Sequence, residues 1–267
     1  MSQDNIVDAS KPSAGRIYDY LLGGNHNFEV DRQAGNQVLK LLPFSSKYVR
    51  LQRWALQDIA VELSERRGYD VIIDFASGLP TNDHIHLKAK KGTTIIYSDY
   101  DPIVVEYTRD ILKNVADTFF FQGDARHPEN ILNHPEVQKI LAGRTKVGIV
   151  SWGLSGFIDD ESISHMAQTF YDWCGPDSCW VFNCQAAGAD PNSPGWKEVS
   201  KIYEQMGTPL YLRDLERYKE LLQPWKSDSN GFVSLLDWHG FENSDFASED
   251  VESFGPMGGG YGVYLVK

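Results

Sequence analysis

Residues 71–80 have the sequence VIIDFASGLP, in which a short apolar run passes directly into a segment of small residues. Residues 71–73 are β-branched, and an unbroken apolar run is typical of a strand that is buried on both faces. The small residues Ala76, Ser77 and Gly78 allow the backbone to approach a ligand closely before the next helix begins. The stretch therefore predicts a buried strand followed by a ligand-binding turn.

The same alternation of apolar runs and helix-length segments continues along the chain. Four further runs follow, at residues 93–97, 118–121, 147–150 and 179–182. The clearest helix start is Asp101 followed by Pro102, an N-cap residue with proline at the first helical position. We therefore expect an α/β fold, a Rossmann-like doubly wound and mostly parallel sheet with helices on both faces. An apolar run at residues 263–266 predicts a final strand.

Residues 1–68 have a different pattern, which predicts helices. Residues 13–22 carry apolar side chains at helical spacing before a Gly-Gly pair, and residues 46–67 do so before Gly68. We expect this segment to pack over the ligand-binding edge of the sheet as an N-terminal helical lid. The Rossmann-like core then comprises residues 69–267, and the two parts are expected to form one compact domain.

The composition limits the partners that the chain can have. Its 267 residues include 25 Lys and Arg against 37 Asp and Glu, a formal net charge of −12, and 42% are hydrophobic. This hydrophobic content excludes a mainly disordered chain, and the negative charge disfavours nucleic acids and anionic membranes. Residues 237–254 hold six acidic residues and no Lys or Arg. Such a like-charge run is typical of a solvated loop.

The three cysteines and the start of the chain indicate a compartment. Cys174, Cys179 and Cys184 include no CxxC pair, and nearby His165 is not spaced as a zinc partner, so we expect buried thiols and no metal site. The first ten residues lack the basic and apolar regions of a signal peptide. We therefore expect a cytoplasmic protein.

Three acidic residues occupy corresponding positions in the predicted sheet. Asp74, Asp99 and Asp124 stand at intervals of 25 residues, each at or just after the end of an apolar run, where open α/β sheets bind ligands. Asp99 lies 21 residues after Gly78, the separation typical of an acid that accepts hydrogen bonds from ribose hydroxyls. Asp124 is suited to accept a hydrogen bond from the adenine amine. The set predicts a site for an adenosine-bearing ligand.

These residues, with an N-terminal segment, carry a resemblance to a known family. Residues 15–24 are GRIYDYLLGG, residues 74–81 match a DxGTGLPT-like motif, and residues 98–102 match a VDxDP-like motif. The sequence resembles the class I S-adenosylmethionine-dependent methyltransferases. More specifically it resembles an actinobacterial-type S-adenosyl methyltransferase family, formerly a domain of unknown function, from about residue 12 to the C-terminus. Asn27-Phe28 and Asp31-Arg32 also match.

The resemblance implies S-adenosyl-L-methionine as cofactor and methyl transfer to a small-molecule substrate. Asp74 and the turn after it are assigned to the methionine end, with Arg16 on the methionine carboxylate and Tyr100 against the adenine or ribose. The full set of expected cofactor-binding residues is Arg16, Asp74, Ala76, Ser77, Gly78, Asp99, Tyr100, Asp124, Ala125 and Ser151.

The resemblance also implies residues for the acceptor and for proton transfer. The expected substrate-binding residues are Tyr18, Tyr20, Asn27 and Trp152, with Ser151 and Trp152 bordering the methyl group. His26 and His86 are candidate bases, since histidine is poised near neutral pH. A base is needed only if the acceptor must lose a proton. The acceptor atom therefore stays open.

Three departures from the family pattern leave other functions open. Ala76 replaces a glycine, residues 154–157 lack a histidine after the fourth strand, and His26 stands where an acid is usual. One alternative is a catalytically silent protein that binds S-adenosylmethionine or another adenosine ligand. Another is an NAD-dependent oxidoreductase, which the incomplete GxGxxG pattern disfavours.

Overall fold

A computed structural model of the chain describes residues 10–81 and 83–267. Its centre is a seven-stranded sheet made of β1 Val71–Phe75, β2 Thr94–Asp99, β3 Thr118–Gln122, β4 Gly148–Ser151, β5 Cys179–Gln185, β6 Lys226–Ser234 and β7 Gly260–Val266. The strand order is β3-β2-β1-β4-β5-β7-β6. Strands β1 to β5 are parallel, whereas β7 runs antiparallel to both β5 and β6.

Within the described residues, twelve α-helices accompany the sheet. They are α1 Ala14–Leu22, α2 Glu29–Leu41, α3 Ser45–Val61, α4 Ile85–Lys88, α5 Pro102–Leu112, α6 Pro128–Leu132, α7 Pro135–Leu141, α8 Asp160–Trp173, α9 Pro194–Gln205, α10 Leu215–Leu221, α11 Leu235–His239 and α12 Ser248–Phe254. A π-helical turn, Glu62–Arg66, continues α3. No helix in the described part of the chain has the length and apolar character needed to span a bilayer.

Helices cover both faces of the sheet, as the sequence predicts. Side chains alternate between faces along a strand, and in β1 Ile72 joins one hydrophobic cluster while Ile73 joins the other. The first cluster includes residues of α1, α2 and α3, and the second includes residues of α7, α8 and α10. The Rossmann-like α/β prediction is therefore confirmed.

The predicted strands and the helix start at Asp101 are present. The Asp101 side chain accepts a hydrogen bond from the Ile103 amide at 2.8 Å, as an N-cap residue does. Strand β6 was not predicted because its sequence, KSDSNGFVS, has no sustained apolar run and its first residues are largely exposed. Among the described strands it pairs with β7 alone, at the edge of the sheet.

The acidic stretch at residues 237–254 differs from the expected solvated loop. Parts of it form helices α11 and α12, and Phe254 is buried among aromatic rings. Asp250 is buried too and forms an ion pair with Lys47 of α3. The stretch therefore contributes to the core as well as to the surface charge.

The N-terminal helices share their core with the sheet. Ile17 of α1, Ile59 of α3 and Tyr264 of β7 belong to one continuous hydrophobic cluster. Arg16 of α1 and Asp31 of α2 form a buried ion pair at 2.8 Å between Nε and Oδ2. The division at residue 68 and the lid role of these helices stay predictions.

Candidate functional site

A cavity of about 490 Å³ lies at the carboxyl ends of the strands. Its floor is formed by the segments that follow the first four strands, residues 76–79, 99–101, 123–126 and 152–154. Helices α1, α3 and α9 contribute residues to its walls. A site at this edge is the expected one for an open α/β sheet.

The turn after β1 brings backbone groups to the cavity. Ala76 and Gly78 both have positive φ values, 55° and 62°, a region that favours glycine. The Ser77 amide donates to the carbonyl of Ser98 at 3.0 Å, which ties the turn to β2. Ala76 has a positive φ, which favours glycine, and this explains why the family pattern has a glycine at this position.

Asp99 ends β2 beside this turn. Its carboxylate accepts hydrogen bonds from the amides of Gly78 at 2.9 Å and Asp101 at 3.0 Å. Burial raises the pKa of Asp99 to about 6, although these backbone donors act to lower it. At neutral pH the group is therefore mostly ionised, and each carboxylate oxygen retains acceptor capacity for a ligand hydroxyl.

Asp124 follows β3 and is held by Arg126. Its carboxylate accepts hydrogen bonds from the Arg126 amide and Nε, both at 2.9 Å. Burial acts to raise the pKa of Asp124, but the bonds and positive charge of Arg126 outweigh it and the pKa is lowered. Tyr100, which is 58% exposed, lines the same part of the cavity. The assignments of Asp124 and Tyr100 to the adenine or ribose stay predictions.

A buried acid and a buried base near the turn have unpaired polar atoms. Asp74 is 2% exposed and Arg53, on α3, is 8% exposed. Among the described residues, Oδ2 of Asp74 and both Nε and Nη1 of Arg53 have no hydrogen-bond partner. Burial raises the pKa of Asp74 well above its usual value, with Arg53 opposing and Asp99 reinforcing the shift. Unpaired buried atoms of this kind are suited to a ligand that carries both charges.

Arg16 also lines the cavity, but its guanidinium already has protein partners. Nε donates to Asp31 at 2.8 Å and Nη2 donates to the carbonyl of Lys11 at 2.5 Å, while the group lies over the Phe28 ring. The predicted role of Arg16 on the methionine carboxylate stays a prediction. Arg53 was missed because no sequence motif distinguishes it from the other basic residues of α3.

Comparison with known proteins identifies the family. A family model described as S-adenosyl methyltransferase matches residues 1–260.

The chain belongs to this S-adenosyl methyltransferase family.

The resemblance is thus confirmed, and the chain is an S-adenosylmethionine-dependent methyltransferase rather than an NAD-dependent oxidoreductase.

Solved structures share the fold of this methyltransferase over nearly its whole length. A candidate methyltransferase from Thermobifida fusca YX is 25% identical, with a TM-score of 0.83 over 97% of this chain and 96% of that one. A DUF574 family protein from Streptomyces avermitilis MA-4680 is 21% identical, with a TM-score of 0.82 over 97% and 99% of the two chains. No curated protein sequence matches the chain at significant similarity.

The cavity of the methyltransferase contains most, but not all, of the predicted site residues. The predicted residues that line it are Arg16, Tyr18, Ala76, Ser77, Gly78, Asp99, Tyr100, Asp124, Ala125 and Trp152. Those that do not line it are Tyr20, His26, Asn27, Asp74, His86 and Ser151. Ser151 accepts a hydrogen bond from Nε1 of Trp180 at 3.0 Å, in the interior of the sheet layer.

The two candidate bases lie outside the cavity of the methyltransferase. The backbone amide of His26 donates to Asp19 at 2.8 Å, and its ring packs edge-on against Tyr107 at 5.0 Å. Nδ1 of His86 is 3.0 Å from the hydroxyl of Tyr97, and burial lowers the pKa of His86. The roles of both histidines stay predictions.

A third histidine, His84, supports the turn and was missed. It is fully buried, with Nδ1 3.0 Å from the Tyr97 hydroxyl and Nε2 3.2 Å from the Ser77 carbonyl. Burial lowers the pKa of His84 well below its usual value, so the ring is neutral and Nε2 donates to Ser77. Its role depends on contacts that no motif records.

One group of possible metal ligands occurs among the described residues, and none of its members lines the cavity. The side chains of His127, Glu129 and His165 place ligand atoms within 4.8 Å of one another at the surface. Glu129 and His165 are 36 residues apart, on α6 and α8, so the sequence spacing does not indicate the group.

Proposed function

We propose that this methyltransferase transfers the methyl group of S-adenosylmethionine to a small-molecule acceptor held inside the cavity. The observation that carries the proposal is the cavity itself. Its volume of about 490 Å³ lies within the range of small-molecule sites, about 300–1,000 Å³. It extends from the turn at Gly78 to a wall of aromatic side chains that includes Trp196 and Tyr203.

The polar groups around the turn after β1 and at the ends of β2 and β3 fit S-adenosylmethionine. We propose that Asp99 accepts hydrogen bonds from the ribose hydroxyls, and that Asp124, Ala125 and Tyr100 adjoin the adenine. Asp74 does not line the cavity, but it precedes the lining residue Ala76 by two positions, and its unpaired oxygen is proposed to accept a hydrogen bond from the methionine ammonium. The unpaired guanidinium nitrogens of Arg53 suit the methionine carboxylate. When bound, the cofactor supplies a methyl group that the positive charge on its sulfur has already activated.

The chain's own contribution to the reaction is alignment and the exclusion of water. Tyr18 and Trp152 line the cavity, and Nε1 of Trp152 donates to the carbonyl of Gln52 at 3.0 Å, which ties α3 to the end of β4. Helices α1 to α3 are proposed to act as the lid. Neither His26 nor His86 borders the cavity, so the proposal relies on positioning rather than on a histidine base.

Location and partners belong to the same proposal. The three cysteines are free and buried, as expected of a protein that works in the cytoplasm, where thiols stay reduced. The net charge of −12 disfavours a nucleic-acid acceptor.

The proposal is tested by following the methyl group. The protein is incubated with S-adenosylmethionine carrying a trideuterated methyl group and with metabolite extracts, and products are analysed by mass spectrometry. We expect the label to appear in a small organic molecule. An Asp99→Ala variant should form no labelled product, and an unchanged circular dichroism spectrum would show that this variant is folded. Label in added protein or RNA, or repeated absence of labelled small molecules across varied extracts, would contradict the proposal.

A further inference from the structure

Charge is unevenly distributed around the cavity. Its charged side chains all belong to residues before position 160, including Arg53, Asp99 and Asp124 near the cofactor end. The lining residues from α9 onward carry no charge, and they are Trp196, Val199, Tyr203, residues 207–212 and Phe254. A charged acceptor placed against this wall would lose hydration, and Arg213, whose guanidinium lies 5.2 Å from the centroid of the Tyr211 ring, is already paired with Asp160. The wall therefore favours an uncharged, apolar or aromatic molecule.

One residue that lines the cavity, Gln52, has a side-chain polar atom without a partner among the described residues. Gln52 of α3 is fully buried, and its Nε2 donates to Oδ1 of Asn183 at 2.6 Å and to the hydroxyl of Tyr48 at 2.8 Å. Its Oε1 has no hydrogen-bond partner among the described residues. A buried carbonyl oxygen without a donor is unfavourable, so the site is completed by a donor from elsewhere.

The orientation of the Gln52 amide follows from its neighbours. Nδ2 of Asn183 donates to the carbonyl of Tyr261 at 3.0 Å, which leaves Oδ1 of Asn183 as the acceptor facing Gln52. Gln52 must therefore present Nε2 to Asn183, because two amide oxygens cannot bond to each other. The unpaired atom is thus the oxygen, a hydrogen-bond acceptor.

The position of this oxygen connects it to the methyl-transfer point. Gly153 directly follows Trp152 beyond the end of β4, and a β-carbon built on Gly153 would lie 3.9 Å from Oε1 of Gln52. Both Gln52 and Gly153 line the cavity. The family resemblance implies that the methyl group lies beside Trp152, the first residue of the segment after β4.

We propose that the methyl acceptor is an uncharged, largely aromatic or apolar molecule whose O–H or N–H group donates a hydrogen bond to Oε1 of Gln52. This inference rests on the proposed function and specifies the substrate class of the same site. The hydrogen bond orients the donor group toward the segment after β4. An amide oxygen is not a base at neutral pH, so Gln52 orients the acceptor group without deprotonating it. As the bond from sulfur to the methyl group breaks and the bond from the methyl group to the acceptor atom forms, S-adenosylhomocysteine leaves and the proton of the acceptor group is released to water.

The test uses matched probes that differ only in donor and charge. Binding of 2-naphthol, naphthalene and 2-naphthoate, and of indole and 1-methylindole, is measured by ligand-observed NMR on protein saturated with S-adenosylhomocysteine. We expect 2-naphthol and indole to bind about tenfold more tightly than the probes that lack the donor, the effect of one buried hydrogen bond. The anionic 2-naphthoate is expected to bind more weakly than 2-naphthol.

Two variants at one position separate the oxygen from the rest of the side chain. Gln52→Met and Gln52→Glu both alter the contacts to Tyr48 and Asn183, but only Gln52→Glu keeps an acceptor oxygen. We expect the preference for 2-naphthol over naphthalene to disappear in Gln52→Met and to persist in Gln52→Glu. The affinity for S-adenosylhomocysteine, measured by calorimetry, should change by less than about twofold in both, because Gln52 is not among the groups proposed to bind it.

The outcomes distinguish this inference from the proposed function. If S-adenosylhomocysteine binds but no probe does, or if the donor preference survives in Gln52→Met, the inference is overturned while the proposed function stands. Tightest binding by 2-naphthoate, lost in Arg53→Met, would instead make Arg53 the anchor of an anionic acceptor. Failure of S-adenosylhomocysteine to bind the wild-type protein would overturn the proposed function itself.

Discussion

At the scale of single residues, two opposing effects act on the pKa of the buried carboxylate of Asp99. The amides of Gly78 and Asp101 stabilise its ionised form, while burial opposes ionisation and raises its pKa to about 6. Because this value is above that of an unfolded aspartate, about 3.9, the proton is held more tightly in the folded protein. Stability associated with Asp99 is therefore lost as the pH rises from about 4 through 6.

A ligand that needs the ionised form of Asp99 should show the opposite trend in affinity. Ribose hydroxyls donate, so they bind the ionised carboxylate better. We expect the affinity for S-adenosylhomocysteine to rise by up to about tenfold between pH 5 and pH 7.5, the change in the ionised fraction for a pKa near 6. Calorimetric titration measures it. Asp99→Asn should bind weakly and with a flatter pH profile, and a pH-independent wild-type affinity would refute the ribose role.

Arg53 and Arg16 are two candidate partners of the methionine carboxylate. Replacing each arginine in turn by methionine and measuring cofactor binding distinguishes between them. We expect Arg53→Met to weaken S-adenosylhomocysteine binding by about tenfold to a hundredfold, the effect of losing charge-assisted hydrogen bonds. Binding of 5′-methylthioadenosine, which lacks the amino-acid group, should be unchanged. If Arg16→Met rather than Arg53→Met shows this selective loss in calorimetry, Arg16 is the carboxylate partner.

At the scale of elements, Asp31 connects α1 to α2. Its buried carboxylate accepts hydrogen bonds from Nε of Arg16 at 2.8 Å and from the amides of Ser13 at 2.9 Å and Phe28 at 2.8 Å. These bonds join the starts of both helices. The ion pair thus positions the part of α1 that lines the cavity.

Removing the charge of Asp31 should destabilise the protein strongly. Asp31→Asn leaves the buried guanidinium of Arg16 without its counter-charge, for which we expect a loss of about 3 kcal/mol in the free energy of unfolding. Urea denaturation measures the loss. The control is Glu29→Gln in the same helix, whose exposed ion pair with Arg32 should contribute nothing measurable. Equal effects of the two substitutions would contradict the role given to the buried pair.

At the scale of the whole molecule, the fold isolates reactive groups from solvent. Three free cysteines are buried: Cys174 at the end of α8, and Cys179 and Cys184 in β5. Burial raises the pKa of Cys174 and of Cys179 to about 12, and it raises that of Cys184 well above its usual value. The thiols are therefore protonated at neutral pH and shielded from reagents.

Thiol labelling should report global unfolding of the protein. At pH 8 we expect almost no reaction of the native protein with Ellman's reagent, and reaction of all three thiols in 6 M guanidinium chloride, roughly the concentration that unfolds even very stable domains. Absorbance at the thionitrobenzoate band measures the number of thiols released. Fast stoichiometric labelling of the native protein would contradict the burial of these side chains.

The local sequence was sufficient for features that depend on neighbours in the chain. An apolar run such as residues 71–73 can only be buried, and Asp101 before Pro102 starts a helix, so both were predictable from their own segments. Strand β6 was not, because its polar sequence is stabilised by pairing with β7 rather than by its own pattern. The acidic stretch likewise became partly buried only through contact with distant residues such as Lys47.

The sequence by itself determined the parallel strands β1 to β5 and the position of Asp99 at the end of β2. Only the tertiary structure decided which polar groups are paired and which are left open. Arg53 and Asp74 stand in different elements, and neither lies in a pattern that reveals its unpaired atoms. Asn183, 131 residues away in the chain, accepts a hydrogen bond from Nε2 of Gln52. This bond sets the orientation of the amide, so the unpaired atom of Gln52 is Oε1. Hydrogen-bond satisfaction in a core depends on what packs around each group, and that packing joins residues distant in the chain.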